Sequence, residues 1–186
     1  MKRKVKIMGV DDSPFSFEDK NTRLVGVVVR APNYLEGVLS CMVTVDGLDS
    51  TEKIAQMLNG SGHEKQIRGI MVNGACVAGF NAVDIEGLTE LTGVGTMTIT
   101  NNRPGESAVR DALRKHFPDW KERLDILEKG KKITIKIEEG KRSYELYARY
   151  CGMGGEEAIE MVDISRVRGS LPEPARMAHV IASALR

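Results

Sequence analysis

Cysteines are too few and too scattered in this chain to build a covalent framework. Cys41, Cys76 and Cys151 are odd in number, far apart and form no Cys-x-x-Cys pair. That pattern argues against a disulfide scaffold or a structural zinc site and fits free thiols in a reducing compartment. Long apolar runs are missing too: no stretch approaches the ~18 residues of a membrane-spanning helix. The opening MKRKVKIMGVDD carries too short an apolar run for a secretory signal, so the expected location is cytoplasmic, with no membrane partner. Charge of one sign is also lacking. With 27 Lys and Arg against 26 Asp and Glu the net charge is +1, so any nucleic-acid partner has to be held by a local patch. No repeat, linker or low-complexity segment interrupts the chain. At 186 residues, 41% hydrophobic and 28% charged, it reads as one globular domain over 1–186.

What is present is a sequence of strands that changes period part-way. Residues 5–10 alternate and then turn apolar, as a core strand does, and Asp11-Asp12-Ser13-Pro14 stops them. Residues 24–30 (LVGVVVR) and 38–45 (VLSCMVTV) predict two further strands, separated by a Pro32-Asn33 turn and closed by Asp46-Gly47. Three strands joined this closely pair antiparallel. Asp49-Ser50-Thr51-Glu52 then has the form of a helix N-cap, followed by the apolar stripe Ile54, Met57, Leu58. A fourth strand is expected at 67–72. Asn81 is placed to cap a helix carrying Ile85, Leu88 and Leu91, and a fifth strand falls at 95–100. Beyond it, a helix starts at Pro104, a short helix follows Pro118, a hairpin joins 133–137 to 144–148, and a last helix runs from about 172 to 185. The expected fold class is α/β: a mixed sheet of three antiparallel strands followed by βαβ units, flanked by helices, with a C-terminal hairpin and helix.

This order places acids together. If strands one to three are antiparallel neighbours, strands one and three finish at the same sheet edge. A crossover helix returns strand four in the same direction, parallel to strand one. Asp11, Asp46 and Asn73 then each lie just past a strand end, on the edge where open α/β sheets bind ligands. Carboxylates converging there are hard oxygen ligands suited to Mg²⁺ or Mn²⁺. Two such ions about 3.5–4 Å apart support phosphodiester hydrolysis. An Asp after a strand is also a common turn former, and it is the agreement of three residues on one edge that favours a site.

The same segments resemble a known family. GVDDSPF, VTVDGLDSTEKIAQML, IMVNGACVAGFNAVDIEGL and LPEPARMAHVIASAL are similar to the archaeal endonuclease dU family, formerly domain of unknown function ninety-nine, which is distantly similar to endonuclease V. The resemblance spans nearly the whole chain. It implies a ribonuclease H-like fold and a divalent-metal-dependent endonuclease acting on DNA at deoxyuridine. On this sequence it implies that Asp11 and Asp46 are metal-binding and catalytic acids. Asn73 departs from the pattern, because endonuclease V-like enzymes carry an aspartate at that position. An amide oxygen ligates a metal without adding negative charge, so a second ion is expected to bind weakly, with Asp12 or Asp84 as candidates to supply the missing charge.

Ribonuclease H-like enzymes often bring a final ligand from a late helix, and His179 or Glu173 is the candidate here. Glu173, Arg176 and His179 are three apart and cover one side of the last helix; the bland alternative is a surface salt bridge beside a partly buried histidine. Arg176, Asn81 and Tyr34 are candidate nucleic-acid contacts. Asn81 would act at the site edge, and Tyr34 or Phe15 would serve as a wedge beside a displaced base. Lys129, Lys131, Lys132, Lys141 and Arg142 flank the hairpin and suit either solvated surface or a nucleic-acid backbone. The leading expectation is a Mg²⁺- or Mn²⁺-dependent nuclease with DNA, or alternatively RNA, as partner. A non-catalytic nucleic-acid-binding module with a degenerate site is the competing one, and a small-molecule domain using the edge pocket is a third.

Overall fold

Strands that are apolar on both faces occupy the middle of the sheet in the computed structural model, which describes residues 5–16, 18–103 and 105–185. β1 (Lys6–Asp12) has five consecutive buried residues and β2 (Asn21–Arg30) has six, as strands covered on both sides must. β3 (Tyr34–Thr44) largely alternates and forms one rim. The chain continues through α1 (Ser50–Asn59), β4 (Ile67–Asn73), the short hairpin β5 (Cys76–Val77) and β6 (Asn81–Ala82), α2 (Ile85–Thr92) and β7 (Thr96–Thr100). It closes with α3 (Glu106–His116), α4 (Trp120–Glu128), β8 (Lys131–Glu139), β9 (Arg142–Cys151), α5 (Gly155–Ser165) and α6 (Glu173–Ser183). The main sheet has the order β3-β2-β1-β4-β7-β9-β8. β1, β2 and β3 pair antiparallel; β1, β4 and β7 run parallel; β9 and β8 return antiparallel. This is the mixed sheet that the sequence predicts.

Alternation along the strands feeds two cores. Met8, Val10, Ile70 and Val72 pack with Ile54, Leu58 and Leu88 of α1 and α2. Ile7, Met71, Met97 and Ile99 pack on the other face with Ala158, Met161 and Val162 of α5. Beside that second core α6 lies close to the sheet: Ala178 and Ala182 meet Val25, Val27 and Val29. The approach is closest at Gly9, where an added Cβ would lie 2.0 Å from the Pro174 carbonyl oxygen. Any side chain there would force the helix away, an overpacking penalty of about 1–3 kcal/mol. Small residues on α6 and a glycine in β1 therefore bring the next turn of the helix over the end of β1.

Several local expectations are corrected. The third strand begins at Tyr34, four residues before the predicted 38. Asn81 belongs to β6, and the cap of α2 is Asp84, whose side chain accepts the Glu86 and Gly87 amides. Helix α5 was not anticipated: glycines 152, 154 and 155 crowd its start and obscure the buried stripe Ala158, Met161, Val162, Ser165. The predicted helix start at Pro104 lies outside the described residues; α3 begins at Glu106.

Candidate functional site

Adjacent side chains on a strand point to opposite faces, so Asp11 and Asp12 do not act as one pair. Asp11 faces α6. It is 5% exposed, and its Oδ1 accepts the Asp12 backbone N–H at 2.9 Å. Its Oδ2 accepts the Asn73 amide at 2.9 Å and lies 2.8 Å from His179 Nδ1. Asn73 arrives because β1 and β4 are parallel neighbours with Val10 beside Val72, so the next residues along, Asp11 and Asn73, stand side by side. His179 arrives because of the tight seat of α6. A carboxylate only accepts, so Nδ1 is the donor to Asp11 and Nε2 is the ring nitrogen left outside that contact. The imidazole is open to solvent, with 59% of its side chain exposed.

Nearly two turns earlier on α6, Glu173 is buried and clamped by Arg176, whose Nε lies 3.0 Å from both carboxylate oxygens. Both late-helix acidic and basic candidates are therefore partnered with each other, and His179 is the residue of that helix in contact with Asp11.

Asp12 faces the α1 and α2 side and is held by main chain. Its Oδ2 accepts the Ala78 N–H at 3.0 Å. The Ala78 carbonyl accepts the Asp46 N–H at 2.8 Å, and Asp46 Oδ1 accepts the Phe80 N–H at 2.8 Å. Asp46, Ala78 and Gly79 all have positive φ (56°, 47° and 86°); at the two that are not glycine this is a backbone cost sustained only where the surroundings over-determine it. At Gly79 a Cβ would sit 2.2 Å from Asp46 Oδ1, so glycine is required for the carboxylate to reach the loop. Burial, reinforced by repulsion from Asp11 and opposed by the Ala78 N–H, pushes the Asp12 carboxyl up to about 6. Burial also pushes the Cys76 thiol in this hairpin up to about 12, which makes it unreactive.

Asp11, Asp46 and Asn73 do reach one sheet edge, each at or just past the end of β1, β3 and β4. Other candidates stand elsewhere or are otherwise engaged. Asn81, proposed as a nucleic-acid contact, is fully buried. It accepts the Ser50 N–H and donates to the Thr44 carbonyl and Asp49, which makes it a strut between β3 and α1. Burial alone would raise Asp49, but hydrogen bonds from Asn81 and Thr44 outweigh it and hold its carboxyl below the usual range. Asp84 is spent on the α2 cap and on an ion pair with Lys129. Tyr34 stands at the opposite edge: Arg30, its neighbour in the β2–β3 turn, pairs with Lys6 at the start of β1. That is five residues, or about 16 Å of strand, from Asp11; there the Arg30 guanidinium stacks 4.4 Å from the Tyr34 ring centre. Phe15 follows β1 at the acidic edge. What the sequence reading missed is the hairpin loop 78–80, whose amides hold Asp12 and Asp46; the signal was the Ala-Gly-Phe step after a two-residue strand.

A divalent cation suits this edge in kind. Three carboxylates (Asp11, Asp12 and Asp46) lie there, and no Lys or Arg among the described residues forms a salt bridge to any of them. They are not gathered into a cage: among the described residues no group of three or more His, Cys, Asp or Glu side chains is close enough to hold a metal ion. Past the end of β4, at Ala75, a cavity of about 650 Å³ opens between β7, β9 and β8 on one side and α3 and α4 on the other, with Thr98, Thr100, Arg103, Tyr147 and Arg149 also in its walls. No helix among the described residues is long and apolar enough to cross a membrane.

The family model for endonuclease dU matches residues 3–186. A UPF0215 protein of Methanothermobacter thermautotrophicus is 40% identical over 184 residues, covering 98% of this chain and 88% of its own. The crystal structure of a protein of unknown function from Archaeoglobus fulgidus superposes with a TM-score of 0.82 at 30% identity, covering 97% of this chain and 98% of the other. Endonuclease V of Ciona intestinalis, solved with a 24mer DNA containing an inosine followed by a ribo-adenosine, gives a TM-score of 0.64 at 13% identity, over 97% of this chain and 85% of that one. At that identity the likeness is one of fold: the architecture is ribonuclease H-like.

Proposed function

The chain belongs to the endonuclease dU family, and from that premise we propose that it hydrolyses phosphodiester bonds in DNA beside deoxyuridine-type lesions, at the acidic end of its sheet. The observation that carries this reading is the meeting of Asp11, Asn73 and His179 on one carboxylate oxygen, from β1, β4 and α6. Asp11, from the α6 side, and Asp46, from the side of the 78–80 loop, are the acids that would hold Mg²⁺ or Mn²⁺, with Asn73 assisting. Such an ion supplies Lewis acidity and lowers the pKa of a bound water. The chain's own residues do the rest. Asn73 and the Asp12 N–H fix the Asp11 carboxylate. Asp11 fixes the His179 tautomer, which leaves Nε2 free to accept or give a proton at the solvent side. Arg176, one turn away on the same helix, is the candidate phosphate contact, and the cavity past β4 at Ala75 is the candidate pocket for a displaced base.

Incubating the purified protein with uracil-containing DNA and Mn²⁺ tests this. The wild type should cleave, and Asp11→Ala should reduce the rate at least about 100-fold. No cleavage by the wild type, or undiminished cleavage by the variant, would sink the proposal. A second reading, a nucleic-acid-binding module without catalysis, is favoured by Asn73 standing where endonuclease V-like enzymes carry an acid. It requires salt-sensitive binding that survives both EDTA and Asp11→Ala.

A further inference from the structure

Arg123 lies on the polar, mid-chain helix α4, far in sequence from the acidic edge, yet it is 5% exposed. Its Nη1 donates to two backbone carbonyls, Gly47 at 2.9 Å and Phe80 at 2.8 Å. Its Nε lies 3.1 Å from both Asp119 oxygens, and Nη2 lies 3.0 Å from Oδ2. The guanidinium is stacked 4.3 Å from the centre of the Phe117 ring, which itself meets Phe80 at 5.4 Å. The two carbonyls are not arbitrary ones. Gly47 directly follows Asp46, and Phe80 supplies the N–H that Asp46 Oδ1 accepts. Through Ala78, the same loop holds Asp12. One planar cation therefore joins the two segments whose positive-φ non-glycine residues, Asp46 and Ala78, are the strained part of this edge.

Building on the reading of Asp46 as a working carboxylate, we propose that Arg123 is the positioning residue of the acidic edge. It clamps the Asp46-Gly47 turn to the 78–80 loop, so that Asp46 and the amides facing Asp12 and Asp46 are preset. A planar guanidinium suits the task because it presents several donors in a fixed fork, which a single ammonium cannot. Arg123 touches none of the reacting groups; it acts through Asp46 and the loop.

Arg123→Lys is the test, with amide hydrogen exchange followed by NMR in the metal-free protein and Mn²⁺-dependent cleavage followed alongside. The Phe80 and Ala78 amides should exchange about tenfold faster or more, while Val10 and Val72 in the sheet centre exchange as in the wild type. The Mn²⁺ concentration for half-maximal cleavage should rise about tenfold, with the rate at saturating Mn²⁺ closer to that of the wild type. Should Arg123→Lys fail to fold, Asp119→Asn, which releases the other side of the guanidinium, should show the same pattern with a smaller amplitude. Unchanged protection of Phe80 and Ala78, or loss shared equally with Val10 and Val72, overturns the proposal, since a merely structural arginine gives one of those results. The exchange measurement is independent of catalysis. If the wild type cleaves nothing but the two amides loosen selectively, the nuclease reading falls and the clamp stands. If Asp46→Asn abolishes cleavage while Arg123→Lys leaves its Mn²⁺ dependence untouched, the nuclease reading stands and the clamp falls.

Discussion

The two sides of the acidic edge are built on different principles although they begin one residue apart. On the α6 side, Asp11 is buried, and apart from the Asp12 N–H its partners are side chains, Asn73 and an exposed His179. On the α1 and α2 side, Asp12 and Asp46 are held by backbone amides of a strained loop. Side-chain partners can rotate, exchange protons and admit a ligand at small cost. Backbone partners in positive-φ conformations give fixed geometry, and that geometry has to be enforced from outside, which is what Arg123 supplies. One side is thus suited to moving protons and the other to presenting its carboxylates in a fixed geometry.

The largest test of that division is His179→Ala. Cleavage should fall about 100-fold, while the thermal midpoint moves by no more than ~2 °C because the ring is largely exposed. If activity is unchanged, the α6 side is not the reactive one and the contrast fails.

A second test uses Asp12. Its carboxyl is raised from 3.8 to about 6 by burial and then by Asp11, so the folded protein holds this proton where the unfolded chain has lost it. With more protons bound in the folded state, stability from this group falls as pH rises from about 4 to about 6. In metal-free buffer the thermal midpoint of Asp12→Asn, relative to wild type, should therefore climb through that window and level off above it. A pH-independent difference would mean that burial on the amide-held side does not hold a proton on Asp12 in the folded chain.

The smallest expected effect sharpens the boundary of the site. Asp84→Ala loses the α2 cap, worth about 1 kcal/mol, which lowers the midpoint by roughly 2–4 °C. Cleavage should be unaffected. A loss of cleavage beyond that drop would extend the amide-held side as far as α2.

Much of the acidic edge was legible because it depends on strand direction. Apolar runs at 24–30 and 38–45, a helix and another run at 67–72 leave Asp11, Asp46 and Asn73 at one edge with few alternatives, and the register of β1 with β4 follows. The misplaced residues each have a local cause. Asn81 and Asp84 are both good caps with equally suitable spacing, and only the fold shows that Asn81 is walled in by Thr44, Asp49 and Ser50. Tyr34 follows the turn signal at Pro32-Asn33; the antiparallel order of strands one to three already implies that this turn lies at the far edge, and the β2–β3 register fixes it there. Arg123 reads as one more charge on a polar helix, because the residues it serves are 43 and 76 positions away.

By itself, then, the sequence determined the order and direction of the strands, and through them the edge at which Asp11, Asp46 and Asn73 arrive. Local period and turn chemistry act over a few residues and suffice for that. Tertiary structure decided which acids share a face, that His179 reaches Asp11 across 168 residues, and that Glu173, Asn81 and Asp84 are already engaged. Those outcomes depend on how closely α6 settles onto Gly9 and on where a buried guanidinium finds its carbonyls. Both are set by packing between segments distant in the chain, which no local pattern records.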